Sequence, residues 1–326
     1  MTEPGAGGAA RAGSTRVLYV GGLGRSGSTL LDRMLGELPG IESAGEVVHL
    51  WQRGVVEDQL CGCGERFSEC PFWTKVGAEA FGGWEAPEVG EAIRLQRLVD
   101  RNRYLPLVVS PVAPARFRRR LHRYGELLRR LYASISSVAG GAAVVDSSKH
   151  ASTAYVLART AGVDLRVIHL VRDARGIAYS WTKVVRRPEV PDREVLMHRH
   201  APWRTAARYD GWNALLHALP ASGVPTLFVR YEDLIARPRR EMRRIAAFAG
   251  SFDDDALAFV EEGAVSLGVP HSVSGNPMRF DAGRIPLRAD DDWRRRLPLA
   301  ERATVTAIAL PFLVAYGYLP ARRREV

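Results

Sequence analysis

Gly22 and Gly27, in the stretch GGLGRSGSTLL, stand at the spacing of a phosphate-binding loop of the form G-x-x-x-x-G-K-[ST]. Where that loop carries lysine, this chain has Ser28. Gly24 and Gly27 remove side chains from a turn that must let oxygens approach, and Ser26, Ser28 and Thr29 add hydroxyl donors. Free N–H groups of such a turn, with the positive end of the helix that follows, make an anion cradle. A triphosphate with magnesium calls on the missing lysine, so an ATPase is a poor fit. A phosphosulfate anhydride fits better. Its transferred sulfuryl group carries about one negative charge fewer than a phosphoryl group, a metal is less needed, and one lysine from elsewhere can stabilise the bridging oxygen as it leaves.

Arg172 closes an apolar run, and Ser180 follows about two helical turns later. Together they suit a phosphate monoester, with Arg172 as a charge-assisted fork; the alternative pairs Arg172 with Asp173 or Asp146. The stretch CGCGERFSECPFW holds all three cysteines, Cys61, Cys63 and Cys70. Three thiols fall short of a four-ligand zinc site. His49 as fourth ligand and a transient disulfide from Cys70 to Cys61 or Cys63 are the alternatives to reduced, partly buried thiols. No metal site is expected.

Four apolar runs must position these groups: Arg16–Gly21, Ala142–Asp146, Leu165–Val171 and Val224–Arg230, each followed by a turn and a helical pattern. Strands alternating with helices predict an α/β, P-loop-type three-layer fold with a central parallel sheet flanked by helices. Ligands then bind beyond the carboxyl ends of the strands, where the candidate residues gather. Between about residues 51 and 138 lies a helical insertion, including a long helix with Phe117, Leu121, Tyr124, Leu128, Leu131 and Ile135 on one face. Arg118, Arg119, Arg129 and Arg130 line the other, as a solvated face or as a cap over an acidic substrate.

The 326 residues, 46% apolar with a formal charge of +10, suit one large domain (16–326) and an anionic ligand. The charge is diffuse arginine on Ala/Arg-rich helices, so no nucleic acid partner is expected. MTEPGAGGAARAGST has no apolar core and reads as a flexible tail over residues 1–15. The run Val305–Leu319 is interrupted by Pro311 and Gly317 and is shorter than the ~20 residues of a membrane span; a packed C-terminal helix is expected. Three cysteines and no secretory signal point to a reducing cytoplasm, and the Ala/Arg/Gly bias to a bacterial gene.

Four separated segments resemble the PAPS-dependent sulfotransferases, which use 3'-phosphoadenosine 5'-phosphosulfate, in the bacterial and tyrosylprotein-sulfotransferase-like branch. GRSGSTLL (Gly24–Leu31) resembles the 5'-phosphosulfate loop, and VIHLVRDARGIAYSW (Val167–Trp181) the 3'-phosphate segment. RYEDL (Arg230–Leu234) resembles the late strand-end motif, and GNPMRFDAGRIPLRADDDWRRRL (Gly275–Leu297) a late loop that closes over the nucleotide. The resemblance implies that Gly24, Arg25, Ser26, Gly27, Ser28 and Thr29 hold the 5' end and that Arg172 and Ser180 hold the 3'-phosphate. It also implies that Glu46 is the catalytic base, with His49 a competitor, and that Lys149 touches the bridging oxygen. Ser147 and Ser148 cap a helix or contact ligand oxygens, His150 is a further acid–base candidate, and Tyr231 supports the nucleotide ring or packs. Arg279 and Arg284 belong to a mobile lid, and Trp293 anchors the core. The expected reaction is metal-free sulfuryl transfer to a hydroxyl of a small metabolite, carbohydrate or glycolipid, with residues 51–138 and Arg186–Trp203 lining the acceptor side. The alternatives are a P-loop kinase or NTPase requiring magnesium, and a non-catalytic, nucleotide-regulated binding protein.

Overall fold

Strand β1 (Thr15–Gly21) carries Val17, Leu18, Tyr19 and Val20, all fully buried. A strand covered on both faces reads as such a continuous apolar run. Because side chains alternate across a strand, Val17 and Tyr19 enter one hydrophobic core while Leu18 and Val20 enter another on the opposite face. The computed structural model describes residues 13–190, 195–250 and 252–320. Residues 1–12 of the expected tail lie outside them.

Helix α1 (Ser28–Gly36) follows β1 and leads to the three-residue strand β2 (Ile41–Ser43). Next come α2 (Pro71–Phe81), α3 (Pro87–Val99), α4 (Leu105–Val109) and α5 (Ala115–Val138). The chain then alternates through β3 (Ala143–Lys149), α6 (Ala151–Ala158), β4 (Val163–Val171), α7 (Ala174–Ser180), α8 (Pro202–Ala218) and β5 (Thr226–Arg230). These five strands pair in parallel in the order β2-β3-β1-β4-β5. Helices cover both faces, so the P-loop-type three-layer α/β fold expected from the sequence is present.

The long helix α5 buries Phe117, Tyr124, Leu128, Leu131 and Ile135 as its periodicity predicts, with Leu121 half-buried. Its arginines do not reach the cleft described below: Arg118, Arg119 and Arg129 are exposed, and Arg130 donates to the Ala80 carbonyl and lies over the Phe81 ring. The solvated face is what the structure has, not the cap.

After β5 come α9 (Tyr231–Ala236) and α10 (Pro238–Ala249), then a small antiparallel sheet of β6 (Val260–Glu261), β7 (Ala264–Leu267) and β8 (Gly283–Pro286). The chain closes with α11 (Trp293–Arg296), α12 (Leu299–Ile308) and α13 (Leu310–Ala315). The single C-terminal helix expected from the apolar run is thus two helices, broken just before Pro311, which cannot donate a helical hydrogen bond. Val305, Ala309, Leu313 and Tyr316 pack it down. Among the described residues no helix is long and apolar enough to cross a membrane.

Candidate active site

The carboxyl ends of β1, β3 and β4 open onto a cleft of about 670 Å³. Its floor is the turn between β1 and α1. Gly22 bends that turn where a Cβ would meet the Leu170 carbonyl oxygen at 2.4 Å. Gly27, at φ +93°, caps α1, and a Cβ there would strike the Tyr231 ring at 2.4 Å. At Gly24 the obstacle would be Trp181, 2.9 Å away, whose indole N–H donates to the Gly24 carbonyl. Both glycines therefore admit an aromatic wall to the loop, a closer reason than the direct approach of ligand oxygens expected from sequence. Gly24, Arg25, Gly27, Ser28 and Thr29 line the cleft. Ser26 sits behind the loop with its hydroxyl fully buried and without a hydrogen-bond partner among the described residues.

Glu46 and Lys149 meet at the other side of this loop. A backbone reversal at Gly45 (φ +76°) leaves no room for a Cβ beside the Val273 carbonyl. Ser147 N–H donates to the Gly45 carbonyl and Glu46 N–H to that of Val273, at 2.8 Å each. Lys149 ends β3 at φ +68°, a conformation a side chain rarely adopts. Its Nζ lies 2.5 Å from Glu46 Oε1 and 2.9 Å from the Ser147 carbonyl. Burial works to raise the Glu46 carboxyl, but Lys149, then His49 and Arg53, outweigh it and hold it at about 2. The buried Asp146 supports the arrangement by accepting from the Tyr132 hydroxyl, the Val47 N–H and both the N–H and hydroxyl of Ser148. Ser148 also accepts from Val48 N–H, so it braces the strand end rather than facing the cleft.

His49 and His150 line the cleft next to the pair. His49 Nε2 is 3.5 Å from Glu46 Oε2. Burial, with Arg53 nearby, pushes His49 down to about 3; burial, with Lys149 adjacent, pushes His150 down to about 4. Both rings are therefore neutral at neutral pH, the form that accepts a proton, so His49 stands beside Glu46 as the competing base named from the sequence.

Arg172 stands at the end of β4. Its guanidinium donates to the Arg25 carbonyl at 3.1 Å and to Asp290 Oδ2 at 2.9 Å, over the Tyr231 ring. Its carboxylate partner is Asp290, not Asp173 or Asp146. Asp290 also takes Lys183 at 3.4 Å. Asp173 caps α7 through the Arg175 N–H and pairs with the Arg175 side chain. Glu232 of the RYEDL motif accepts from Asp173 N–H and from the Tyr318 hydroxyl. That motif latches the Arg172 elbow in place. Ser180 lines the cleft at the end of α7, and Tyr231 forms part of its wall.

Arg279 and Arg284 do not join this group. Arg279 is buried, and its guanidinium donates to the carbonyls of Ser272 and Leu60. Arg284 is exposed on β8 and pairs with Glu261. The stretch expected to form a lid does border the cleft, through Gly275, Asn276 and Met278 and through Asp290 on Arg172, but its two arginines are spent in a hydrogen-bonded turn and an edge strand. Trp293 is buried under Arg175, as a core anchor should be. Of the acceptor-side regions expected from sequence, residues 51–138 contribute Arg53 and the described part of Arg186–Trp203 contributes Met197; residues 191–194 lie outside the described residues. Sequence reasoning missed Arg53, Trp181, Arg208, Trp212, Asn276 and Met278, all of which line the cleft. Trp181 carried a signal as the end of the 3'-phosphate-like segment, Asn276 and Met278 lay in the late-loop-like segment and Arg53 in the region expected on the acceptor side; Arg208 and Trp212 carried none.

The three cysteines are free thiols, and the histidine beside them is His271, not His49.

Residues 18–255 match the pattern of the Sulfotransferase family, and the chain belongs to that family. It is therefore a transferase of sulfuryl groups by family. Among solved structures, the sulfotransferase domain of the Synechococcus PCC 7002 olefin synthase is similar over 93% of this chain and 96% of that one, at 19% identity and a TM-score of 0.49. The sulfotransferase domain from the curacin biosynthetic pathway is similar over 93% and 98%, at 16% identity and a TM-score of 0.48. Sulfotransferase STF9 from Mycobacterium avium is similar over 93% and 77%, at 14% identity and a TM-score of 0.46. No curated protein matches the sequence.

Proposed function

We propose that the chain transfers a sulfuryl group from 3'-phosphoadenosine 5'-phosphosulfate to a hydroxyl of a small acceptor, within one catalytic domain spanning residues 16–326. The observation that carries this reading is the contact of Glu46 with Lys149 on the cleft floor, between a lysine-free anion loop and a second anion site at Arg172. A nucleotide with phosphates at both ends suits two such sites, whereas ATP leaves the second unused. The hydroxyls of Ser28 and Thr29 and the guanidinium groups of Arg25, Arg53, Arg172 and Arg208 all line the cleft and suit a ligand with two anionic ends.

In this reading Ser28, Thr29 and the first amides of α1 hold the 5' end of the donor, and Arg172 with Ser180 holds the 3'-phosphate. The donor supplies an activated sulfuryl group on a good leaving group. Lys149 offers its charge to the oxygen between phosphorus and sulfur. Glu46, ionised and partly released as Lys149 turns to that oxygen, accepts the proton of the acceptor hydroxyl. The acceptor oxygen bonds to sulfur, the bond from sulfur to the phosphate oxygen breaks, and the leaving charge stays on the nucleotide next to Lys149. His150, Trp212, Arg208 and Met197 line the remaining side of the cleft and form the acceptor wall: aromatic, with one cation, suited to a carbohydrate, glycolipid head or other small hydroxylated metabolite. The reducing cytoplasm is the compartment this chemistry and the cysteine content suit.

The test is a thermal-shift comparison joined to a transfer assay. The nucleotide 3',5'-bisphosphoadenosine, without added magnesium, is expected to raise the melting point while ATP with magnesium does not. Labelled sulfur is expected to move from the donor to a hydroxyl acceptor. Stabilisation by ATP–magnesium alone, with phosphoryl transfer, would overturn the reading in favour of a kinase.

A further inference from the structure

We propose that Cys61, Cys63, Cys70 and His271 bind one structural zinc ion, outside the cleft and independent of the transfer chemistry. The Sγ atoms of the three cysteines and a ring nitrogen of His271 all lie within 4.8 Å of one another. Cys70 Sγ is 3.6 Å from Cys61 Sγ, 3.8 Å from Cys63 Sγ and 3.3 Å from His271 Nδ1. A tetrahedral zinc with bonds of about 2.3 Å to sulfur and about 2.05 Å to nitrogen separates its sulfurs by about 3.8 Å and sulfur from nitrogen by about 3.5 Å. A disulfide needs about 2.05 Å between its sulfurs, and one sulfur equidistant from two others is a poor disulfide but a good vertex of a tetrahedron.

The surroundings are those of a metal knuckle. Cys61–Cys63 forms a tight turn closed by Gly64 N–H to the Cys61 carbonyl and Cys61 N–H to the Glu65 carbonyl. Gly62 lies where a Cβ would strike the Pro270 carbonyl and the Ser272 hydroxyl, and Gly64 takes φ +93°. Backbone N–H groups are directed at all three sulfurs: that of Cys63 at Cys61, that of Glu65 at Cys63, and those of Phe72 and Trp73 at Cys70. Thiolates bound to a cation use such donors. The His271 ring is fixed by stacking on Phe72 at 5.1 Å, and its carbonyl accepts from the Trp73 indole at 2.7 Å. Two of the four ligands are buried and two half-buried. Four protein ligands leave no open position for a substrate, which marks a structural site. On binding, Zn(II) replaces the three thiol protons, which pass to solvent, and takes the neutral imidazole as its fourth donor.

The ion would clamp two segments far apart in sequence. His271 begins the stretch that supplies the Val273 carbonyl to Glu46 N–H and carries Gly275 and Asn276 to the cleft wall. Zinc at this point ties the cysteine loop to the backbone that positions Glu46.

The test is metal analysis of the whole protein, purified under reducing conditions without chelator, or supplied with zinc chloride during refolding. About one zinc per chain is expected. Cys63→Ser, at the half-buried ligand, is expected to lower retained zinc at least about tenfold after dialysis, because one of the four direct ligands is lost, while His271→Cys retains it. Stripping zinc with a strong chelator is expected to lower the melting point and to speed amide exchange over residues 269–276. Cys70→Ser, at a buried ligand, is expected to lose zinc likewise; should it fail to fold, Cys63→Ser and His271→Cys still decide. Protein that holds no zinc after both treatments, that holds iron in its place, or that retains zinc equally in Cys63→Ser would overturn the proposal. None of these readouts depends on sulfuryl transfer, so the proposal stands or falls apart from the assigned reaction.

Discussion

Lys149 Nζ lies 2.5 Å from Glu46 Oε1, so the only lysine lining the cleft among the described residues is held by the carboxylate that the proposed reaction would use as its base. The pair is a resting arrangement. A cation engaged with a carboxylate keeps that carboxylate ionised but weakly basic. When the leaving oxygen of a donor draws the ammonium away, the same carboxylate becomes a stronger base. Glu46→Gln is therefore expected to lower kcat about 10²–10⁴-fold, the range of general-base catalysis, with 3',5'-bisphosphoadenosine affinity changed by no more than about threefold, within the effect of one peripheral contact. Lys149→Ala is expected to lower kcat far more than nucleotide affinity. Steady-state kinetics beside calorimetric titration separates the two quantities.

The same contact sets a pH dependence. Glu46 is held at about 2 in the folded chain, below its unfolded value of about 4.3. A depressed carboxylate contributes stability that is complete above the unfolded value and is lost as pH falls toward the folded one. Between about pH 4.5 and 2, on the order of 3 kcal/mol of wild-type stability should disappear through this group. Glu46→Gln lacks that contribution, so its stability should fall less over the same window. Parallel acid denaturation of the two proteins checks this; curves that fall in step would show that the Glu46 carboxyl is not depressed.

Four of the five sheet strands were legible as apolar runs: β1, β3 and β4 because they are largely buried on both faces, and β5, the edge strand, from its Leu227–Val229 run although only Val229 is buried. β2 was not, since three residues, Ile41–Ser43, carry no period. The small sheet of β6–β8 was hidden by short strands and by the exposed positions of β8. Glycine spacing and the Arg172 strand end were legible as local patterns, and the structure brings both to one cleft. Asp290 and His271 were not. Asp290 meets Arg172 across 118 positions and His271 meets Cys70 across 201; Asp290 fell in the late-loop-like segment but nothing local paired it with Arg172, and nothing local marks His271. Arg279 and Arg284 were misread for the opposite reason. A basic Gly/Pro-rich stretch has the composition of a lid, but its register against β7 and the carbonyls awaiting Arg279 are tertiary facts.

Asp290 occupies Arg172 and Lys183 in the resting protein. In the proposed reading the donor's 3'-phosphate would displace it. Asp290→Asn is expected to tighten 3',5'-bisphosphoadenosine several-fold, and Arg172→Ala to weaken it by roughly 10–150-fold, the worth of a hydrogen bond to a charged group. Titrations at two salt concentrations check the sign, since the gain in Asp290→Asn is electrostatic and should shrink as salt rises.

Gly27 tests the loop's architecture. Alanine there meets both a left-handed φ of +93° and the Tyr231 ring 2.4 Å away. Gly27→Ala is expected to cost roughly 2–3 kcal/mol, combining backbone strain with overpacking. Adding Tyr231→Ala should recover only the overpacking part. Urea denaturation of the single and double variants measures the recovery; full recovery would mean that the backbone at Gly27 carries no strain.

The central claim is that one ligand is gripped at both ends, by the glycine loop and by Arg172. Titrating the protein with 3',5'-bisphosphoadenosine, 5'-AMP and 3'-AMP tests it most directly. The account predicts that the bisphosphate binds at least about 100-fold more tightly than either monophosphate, as joining two contacts in one rigid molecule allows, and that Arg172→Ala cuts its advantage over 5'-AMP by at least about tenfold. Equal affinity for the bisphosphate and 5'-AMP in the wild-type protein would contradict it.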